Sequence, residues 1–470
     1  MIMATKLKAN TVSFTELVFM GVAGSAPGFS IATAIAPLLG TSGAVTPNAL
    51  LIFAIPMLGI AMAYRGLNAK DANAGAAYEW TKQGFGRFFG YFSGWALLVA
   101  SMVFMVTGSV PLGTATIDLF DADLASNVVL TTGLGAAWFL LLAILVLKGI
   151  KLTSRFMMAV NIAGLVILFG ICIAALLHGF TGGAVTPFSL SMFSFAYPDG
   201  TFAQSCLLVV FLYWGWDVTC NLSEEARNKP ANASGTSGVV SMFITIASFV
   251  SFTVAAMMLF SLKDASGFSD NLIYHVAIQA GLGPIGGVLA SIALVFSSVA
   301  TLVTTMLQAS RTLFAMGRDR ALPTALGYTD TPNQSPTWAM YVIIVLGLAM
   351  IFMASFLPTI AKIVAESLNA IAIQVCYYYG LAGFVCFWEY RGSFKKSFGA
   401  FLAYAVFPLL SGITLVVLAG YAITTFDTWT RVVGIGGLVA GIVFYNPDGY
   451  GTQSMFPFLE RMRARMRQDR

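Results

Sequence analysis

The chain has 470 residues, of which 58% are hydrophobic and only 10% charged, and its mean hydropathy is +0.83. A water-soluble domain of this length could not carry that composition without exposing large apolar patches, so the solvent of this chain is lipid. The net charge of +5 is spread over short loops and a tail rather than a basic domain, which excludes nucleic acid as a partner.

A bilayer core about 30 Å thick is crossed by roughly 20 residues of helix, because each residue rises about 1.5 Å and backbone polar groups must pair within the segment. Charge-poor windows that fit this ruler run over 13–39, 44–65, 86–115, 128–148, 153–178, 203–227, 236–262, 284–312, 338–357, 361–388, 400–423 and 428–446. Arg431 near the start of the last window can snorkel to the interface. The expected fold class is an all-α integral membrane protein with about twelve transmembrane helices. Its parts are an amino-terminal segment 1–12, five helices over 13–180, five more over 203–388, two additional helices over 400–446 and a basic tail over 447–470.

With the amino terminus placed in the cytoplasm, 22 of the 25 Lys and Arg residues fall on that side, leaving Lys263, Lys362 and Arg431 outside. This is the positive-inside bias of a multi-pass protein of a plasma or inner membrane with both termini cytoplasmic. The tail RMRARMRQDR has the composition of an anchor to inner-leaflet lipid. The first residues lack the small-residue cleavage site of a secretory signal. Cys172, Cys206, Cys220, Cys376 and Cys386 all fall inside expected helices, a distribution that argues against structural disulfides.

Two windows contain helix breakers at the depth of the bilayer. In the first, Gly24-Ser25-Ala26-Pro27-Gly28 interrupts an apolar run; the proline removes a backbone donor and clashes with the preceding turn, and the glycines weaken helix on both sides. In the sixth, Tyr213-Trp214-Gly215-Trp216-Asp217 joins a glycine, bulky aromatics and the carboxylate expected nearest the midplane. Unwound backbone at this depth is tolerated where it lines a cavity, and the freed peptide groups can grip charge. The first and sixth windows occupy corresponding places in two five-helix halves, and because five is odd the second half must sit inverted. These ten residues are the candidate substrate site. A buried Asp217 pairs with a cation or titrates, or else is hydrogen-bonded to neighbouring amides; Tyr213, Trp214 and Trp216 offer a cation–π wall, with core packing the competing role of each.

Other polar residues say less. Thr301, Thr304 and Thr305, with Ser297 and Ser298, can lend hydroxyls to sodium, although bonding back to helix carbonyls is their commoner use. With Asp217, the three threonines are the ion-coupling candidates, for a proton or sodium. Lys362 and Glu366 have the spacing of an interfacial pair, and at most one or two of Tyr377, Tyr378 and Tyr379 can face a central site.

Four stretches together resemble the amino acid/polyamine/organocation transporter superfamily over nearly the whole chain. They are Asn73-Ala74-Gly75-Ala76-Ala77-Tyr78-Glu79-Trp80 with Phe85-Gly86 and Gly94-Trp95; Gly215-Trp216-Asp217 with Asn221-Leu222-Ser223-Glu224-Glu225 and Pro230; Ala309-Ser310-Arg311 through Gly317-Arg318-Asp319-Arg320-Ala321-Leu322-Pro323; and Pro336. The resemblance implies the leucine-transporter-type fold of five plus five inverted helices plus two, with alternating access around the first and sixth. It also implies a glycine, small residue, glycine triplet that holds a substrate carboxylate, and here that stretch reads Ser25-Ala26-Pro27. The lysine that proton-coupled relatives carry in the fifth helix is absent, with Gly164 in its place.

The function expected is secondary active transport, as symporter or exchanger, of amino acids or small organic amines. A polyamine-specific carrier is the alternative, and a non-transporting sensor of the same fold a more remote one. An enzyme or redox subunit is disfavoured because the two histidines, His178 and His275, lie near outer helix ends, so no cofactor or metal is expected. No GxxxxGK[ST] phosphate-binding run is present for ATP-driven transport.

Overall fold

A computed structural model describes residues 5–445 apart from 122, 228–229, 269–270, 331–332, 357–359, 396 and 426–427; the basic tail lies outside the described residues. The described chain is helical. In order come α1 (Phe14–Ser25), α2 (Pro27–Ser42), α3 (Thr46–Lys70), α4 (Ala77–Phe85), α5 (Arg87–Asp118), α6 (Val128–Leu147), α7 (Ile150–His178), α8 (Phe202–Leu212), α9 (Val218–Asn221) and α10 (Pro230–Leu259). There follow α11 (Leu262–Gly267), α12 (Leu272–Ala277), α13 (Gly283–Arg318), α14 (Thr337–Ala354), α15 (Ile360–Tyr390), α16 (Phe398–Phe401), α17 (Phe407–Thr425) and α18 (Thr428–Phe444).

Among the described residues, nine stretches are long and apolar enough to cross a membrane, and the chain is a multi-pass membrane protein. Windows 13–39 and 44–65 run together in the 57-residue stretch Phe14–Lys70. Windows 203–227 and 428–446 fall instead on the shorter apolar helices Phe202–Leu212 and Gly434–Phe444. Burial separates the helices into two groups: α5 is buried along almost its whole length, whereas α6, α7, α14 and α17 turn large apolar side chains such as Val166, Ile173, Val345 and Val417 outward. In lipid such an outer face is the solvated one, so it needs no partner. Around α5 stand α13, α15, α6 and α4, while α10 packs against α1 and α3.

Local chemistry fixes the ends. Ser13 accepts from the Glu16 amide while the Glu16 carboxylate accepts from the Ser13 amide at 2.7 Å, a reciprocal cap on α1. Ser154 on α7 donates to the other Glu16 oxygen, and the Asn161 side chain donates to Phe19 O, so α1 is pinned to α7 at two levels. At the other end of α1, Ala26 is left-handed (φ 47°, ψ 61°), and Pro27, which has no N–H to leave unpaired, opens α2.

The end of the bundle that carries the amino terminus is sealed by charge. Arg311 grips Glu225 through two bonds of 3.0 Å, with both side chains essentially inaccessible, and Arg318 holds Glu224 at 2.8 Å. Glu224 also accepts from the Ala74 amide, and the Asn221 side chain donates to Ala74 O, which locks the segment before α4 beneath α9. Residues 6–12 run across this end: the Thr11 and Val12 amides donate to Glu225 O, Arg227 N–H donates to Val12 O, and Leu7 is buried against Ala74 and Phe314. On α4, Lys82 bridges Glu79 and Asp319, and burial pushes the Glu79 carboxyl up against the opposing pull of Lys82 and Gln83.

Removing Arg311 leaves Glu225 buried without its counter-charge, a cost of about 3–5 kcal/mol. Arg311→Ala is therefore expected to lower the thermal midpoint of the detergent-solubilised protein sharply, and Arg311→Met combined with Glu225→Gln to recover most of the loss. An unchanged midpoint in the single variant contradicts this account of the sealed end.

Candidate functional site

The two sequence breaks are breaks in the structure, and they touch. The helix that starts at Phe14 stops at Ser25 and resumes at Pro27, and the one that starts at Phe202 stops at Leu212, with the short α9 resuming at Val218. Gly24 and Gly215 meet backbone to backbone: a Cβ on either would overlap the carbonyl of the other. Gly215 also adopts φ +101°, which L side chains rarely enter. Two interrupted helices can approach this closely only because neither has a side chain at the crossing.

A third helix braces the α1–α2 break. On α13 the Thr301 hydroxyl donates to Gly24 O at 3.2 Å, and Ser297 Oγ accepts from the Phe29 N–H at 2.9 Å. Gly28 lies against the same surface, where a Cβ would stand 2.8 Å from Ser297 Cβ. Thr304 and Thr305 instead donate to carbonyls of their own helix, so of the three threonine candidates Thr301 alone reaches the break. Ser25 has its carbonyl occupied by Ser30 Oγ, while its own hydroxyl is buried with no partner among the described residues.

The aromatic candidates diverge. Tyr213 turns away, its hydroxyl on Leu50 O of α3 and its ring 5.4 Å from Phe249 of α10. Trp214 packs edge-on to Phe104 of α5 and donates to Tyr378 OH. Trp216 packs against Tyr64 of α3 and Tyr379 of α15, at 5.2 and 5.8 Å between ring centres, with its indole N–H unpartnered among the described residues.

Asp217 is wholly buried inside this aromatic shell. One carboxyl oxygen, Oδ2, accepts from Tyr378 OH at 3.2 Å and weakly from Tyr64 OH at 3.5 Å; Oδ1 has no partner among the described residues. Tyr379 OH and Gln308 Nε2 of α13 face the same carboxyl. Of the tyrosine triplet, Tyr378 and Tyr379 are buried here and Tyr377 is only half-buried. Tyr64, Gln308 and Phe104 carried no motif or breaker, and only packing discloses them. The side chains of Lys362 and Glu366 lie outside the described residues.

Backbone strain at the two crossings differs in sign on substitution. Gly215→Ala forces a Cβ onto the Gly24 carbonyl at positive φ and is expected to cost at least about 1–3 kcal/mol, whereas Ala26→Gly relieves a left-handed alanine and should leave stability within about 1 kcal/mol of the parent. Thermal denaturation of both variants checks this; equal loss in the two would contradict the observed geometry.

Comparison with known proteins gives the family. The sequence profile of the family described as amino acid permease matches residues 11–444. The chain is 26% identical over 312 residues to the branched-chain amino acid permease BcaP of Lactococcus lactis subsp. cremoris, covering 61% of this chain and 64% of that protein, just under two thirds of its length. It is 24% identical over 364 residues to the methylthioribose transporter of Bacillus subtilis, covering 71% of this chain and 73% of that one. With the profile spanning all of the broken-helix core, the chain belongs to the amino acid permease family of the amino acid/polyamine/organocation superfamily.

Proposed function

We propose that the protein is a secondary active transporter of amino acids or small organic amines, with substrate bound between the α1–α2 and α8–α9 breaks and carried by alternating access. The observation that carries this reading is the contact of two interrupted helices beside a buried acid, since loose peptide groups in lipid are stable only where they line a protein site. The family supports the class of activity, and the five-plus-five inverted arrangement plus two helices is the architecture the family implies. On this reading both termini face the cytoplasm of a plasma or inner membrane.

The substrate's charged groups are constrained by what remains free. At the start of α2, Pro27 has no N–H, the Phe29 N–H is taken by Ser297 and the Ser30 N–H by Ala26 O. Few amides are left to hold a carboxylate, whereas Asp217 and its ring shell suit an ammonium group. The site therefore favours the amine end of its substrate, and a polyamine or monoamine without a carboxylate fits it as well as an amino acid.

Uptake of labelled putrescine and of labelled neutral amino acids into liposomes holding the purified protein tests the assignment. The expected result is uptake of at least one class, with Asp217→Asn reducing it on the order of tenfold or more, the loss of about 1.4 kcal/mol or more of ammonium recognition. Unchanged uptake in the variant removes Asp217 from the site, and binding without counterflow favours the sensor reading.

A further inference from the structure

Helix α7 carries two kinds of residue on one stripe. Along its outer face Ile162, Val166, Phe169 and Ile173 follow at helical spacing, and with Phe19 of α1 they form an open apolar groove of about 480 Å³ around Gly170. Lys151 and Arg155 lie on the same stripe, eleven and seven residues before Ile162, and both are exposed, as is Lys148 just before the helix. Among the described residues none of these three cations makes an ion pair. The neighbouring helices of this seam offer them no acid: α6 and α7 contain none, and Glu16, the one acid of α1, is held by Ser13 and Ser154.

The dimensions place the two parts of the stripe at different depths. With 29 residues α7 is about 44 Å long, more than the roughly 30 Å of a hydrocarbon core, and its basic first turns are the part that belongs at the polar surface. From Ile162 to Ile173 the groove runs about 16 Å along the axis, close to the half-thickness of that core, about 15 Å. An occupant must therefore be apolar over the depth of one leaflet and anionic at the end nearest the start of α7. Free phosphate meets only the second requirement, and an uncharged sterol only the first. Gly170 supplies room for the apolar part, since a Cβ there would meet no atom within 4 Å.

We propose that an anionic phospholipid of the leaflet at the amino-terminal end of the bundle binds here, its phosphate held by Lys151 and Arg155 and one acyl chain laid in the groove. The seam it covers is the one at which α1 is pinned to α7. Asn161, the residue before Ile162, donates to Phe19 O, and Ser154, the residue before Arg155, donates to Glu16. A bound lipid braces α1 against α7 along this seam. The helix that ends at the Gly24 break is thereby tied to the composition of the membrane. The site requires only that the chain spans a membrane and does not depend on what the protein carries.

Native mass spectrometry and thermal melts of the full chain in detergent test this, with dioleoyl-phosphatidylglycerol, dioleoyl-phosphatidylcholine or inorganic phosphate added. Phosphatidylglycerol should bind ahead of phosphatidylcholine and raise the midpoint more, and phosphate should do neither. Lys151→Gln combined with Arg155→Gln should weaken phosphatidylglycerol binding on the order of tenfold or more, because each basic residue at an anionic lipid surface contributes about fivefold. Gly170→Leu should fill the groove and abolish the selective rise, while its midpoint without lipid does not fall below that of the parent, because the added side chain starts in open space. Equal binding of the two lipids, or a phosphatidylglycerol effect that survives both variants, overturns the proposal. So does a rise with phosphate alone, which makes this a simple anion site, or a dimer of the parent that Gly170→Leu dissociates, which gives the groove to a second copy of the chain.

Discussion

Two segments of the chain touching at two glycines set the rest of this structure. Where Gly24 and Gly215 abut, neither position can carry a side chain, because the space a Cβ would need is filled by the backbone of the other segment. Hydrocarbon does not tolerate the freed amides and carbonyls, so protein must surround them, and the surroundings are specific. Thr301 and Ser297 of α13 take one set of peptide groups, the rings of α3, α5 and α15 enclose the other, and α7 and α10 hold the start of α1 through Asn161 and Ser241. The long straight helices act as the frame that makes two short irregular segments affordable.

The frame has a sealed end and a polar centre, and the same short segment links them. From Gly215 the chain runs through Asp217 and α9 to Glu224 and Glu225, so the buried acid and the buried Arg311 pair are only eight residues apart. The two acids meet opposite fates. Glu225 has a guanidinium in a two-bond grip, whereas Asp217 has phenols and, among the described residues, no cation in contact. Movement of α9 relative to α13 would strain the first and open the second. A carrier that changes access by shifting one set of helices against another has in this segment a mechanical connection between the seal at the amino-terminal end of the bundle and its charge site.

How much of this the sequence disclosed depends on the kind of signal. Lipid leaves a strong trace, since long apolar windows follow from solvation alone. The breaks were also legible, because Pro27 and the glycines act locally on the backbone wherever they occur. Tyr64, Gln308 and Phe104 were not: a tyrosine in an apolar window has the same local meaning whether it faces lipid or an acid. The aromatics of the sixth window show the same limit from the other side, for Tyr213 is spent on Leu50 O while Trp214 and Trp216 join the cage. Thr304 and Thr305 looked equivalent to Thr301 by composition, and helical phase alone separates the residue that reaches Gly24 from those that bond to their own turn.

The most direct test of this account is an electron cryomicroscopy map of the protein in lipid nanodiscs at a resolution that separates side chains. It should show both helices interrupted, the peptide groups of Gly24 and Gly215 in contact, and the Asp217 carboxyl turned inward among Tyr64, Tyr378 and Tyr379. An unbroken rod through either segment, or a carboxyl directed at the acyl chains, would contradict it.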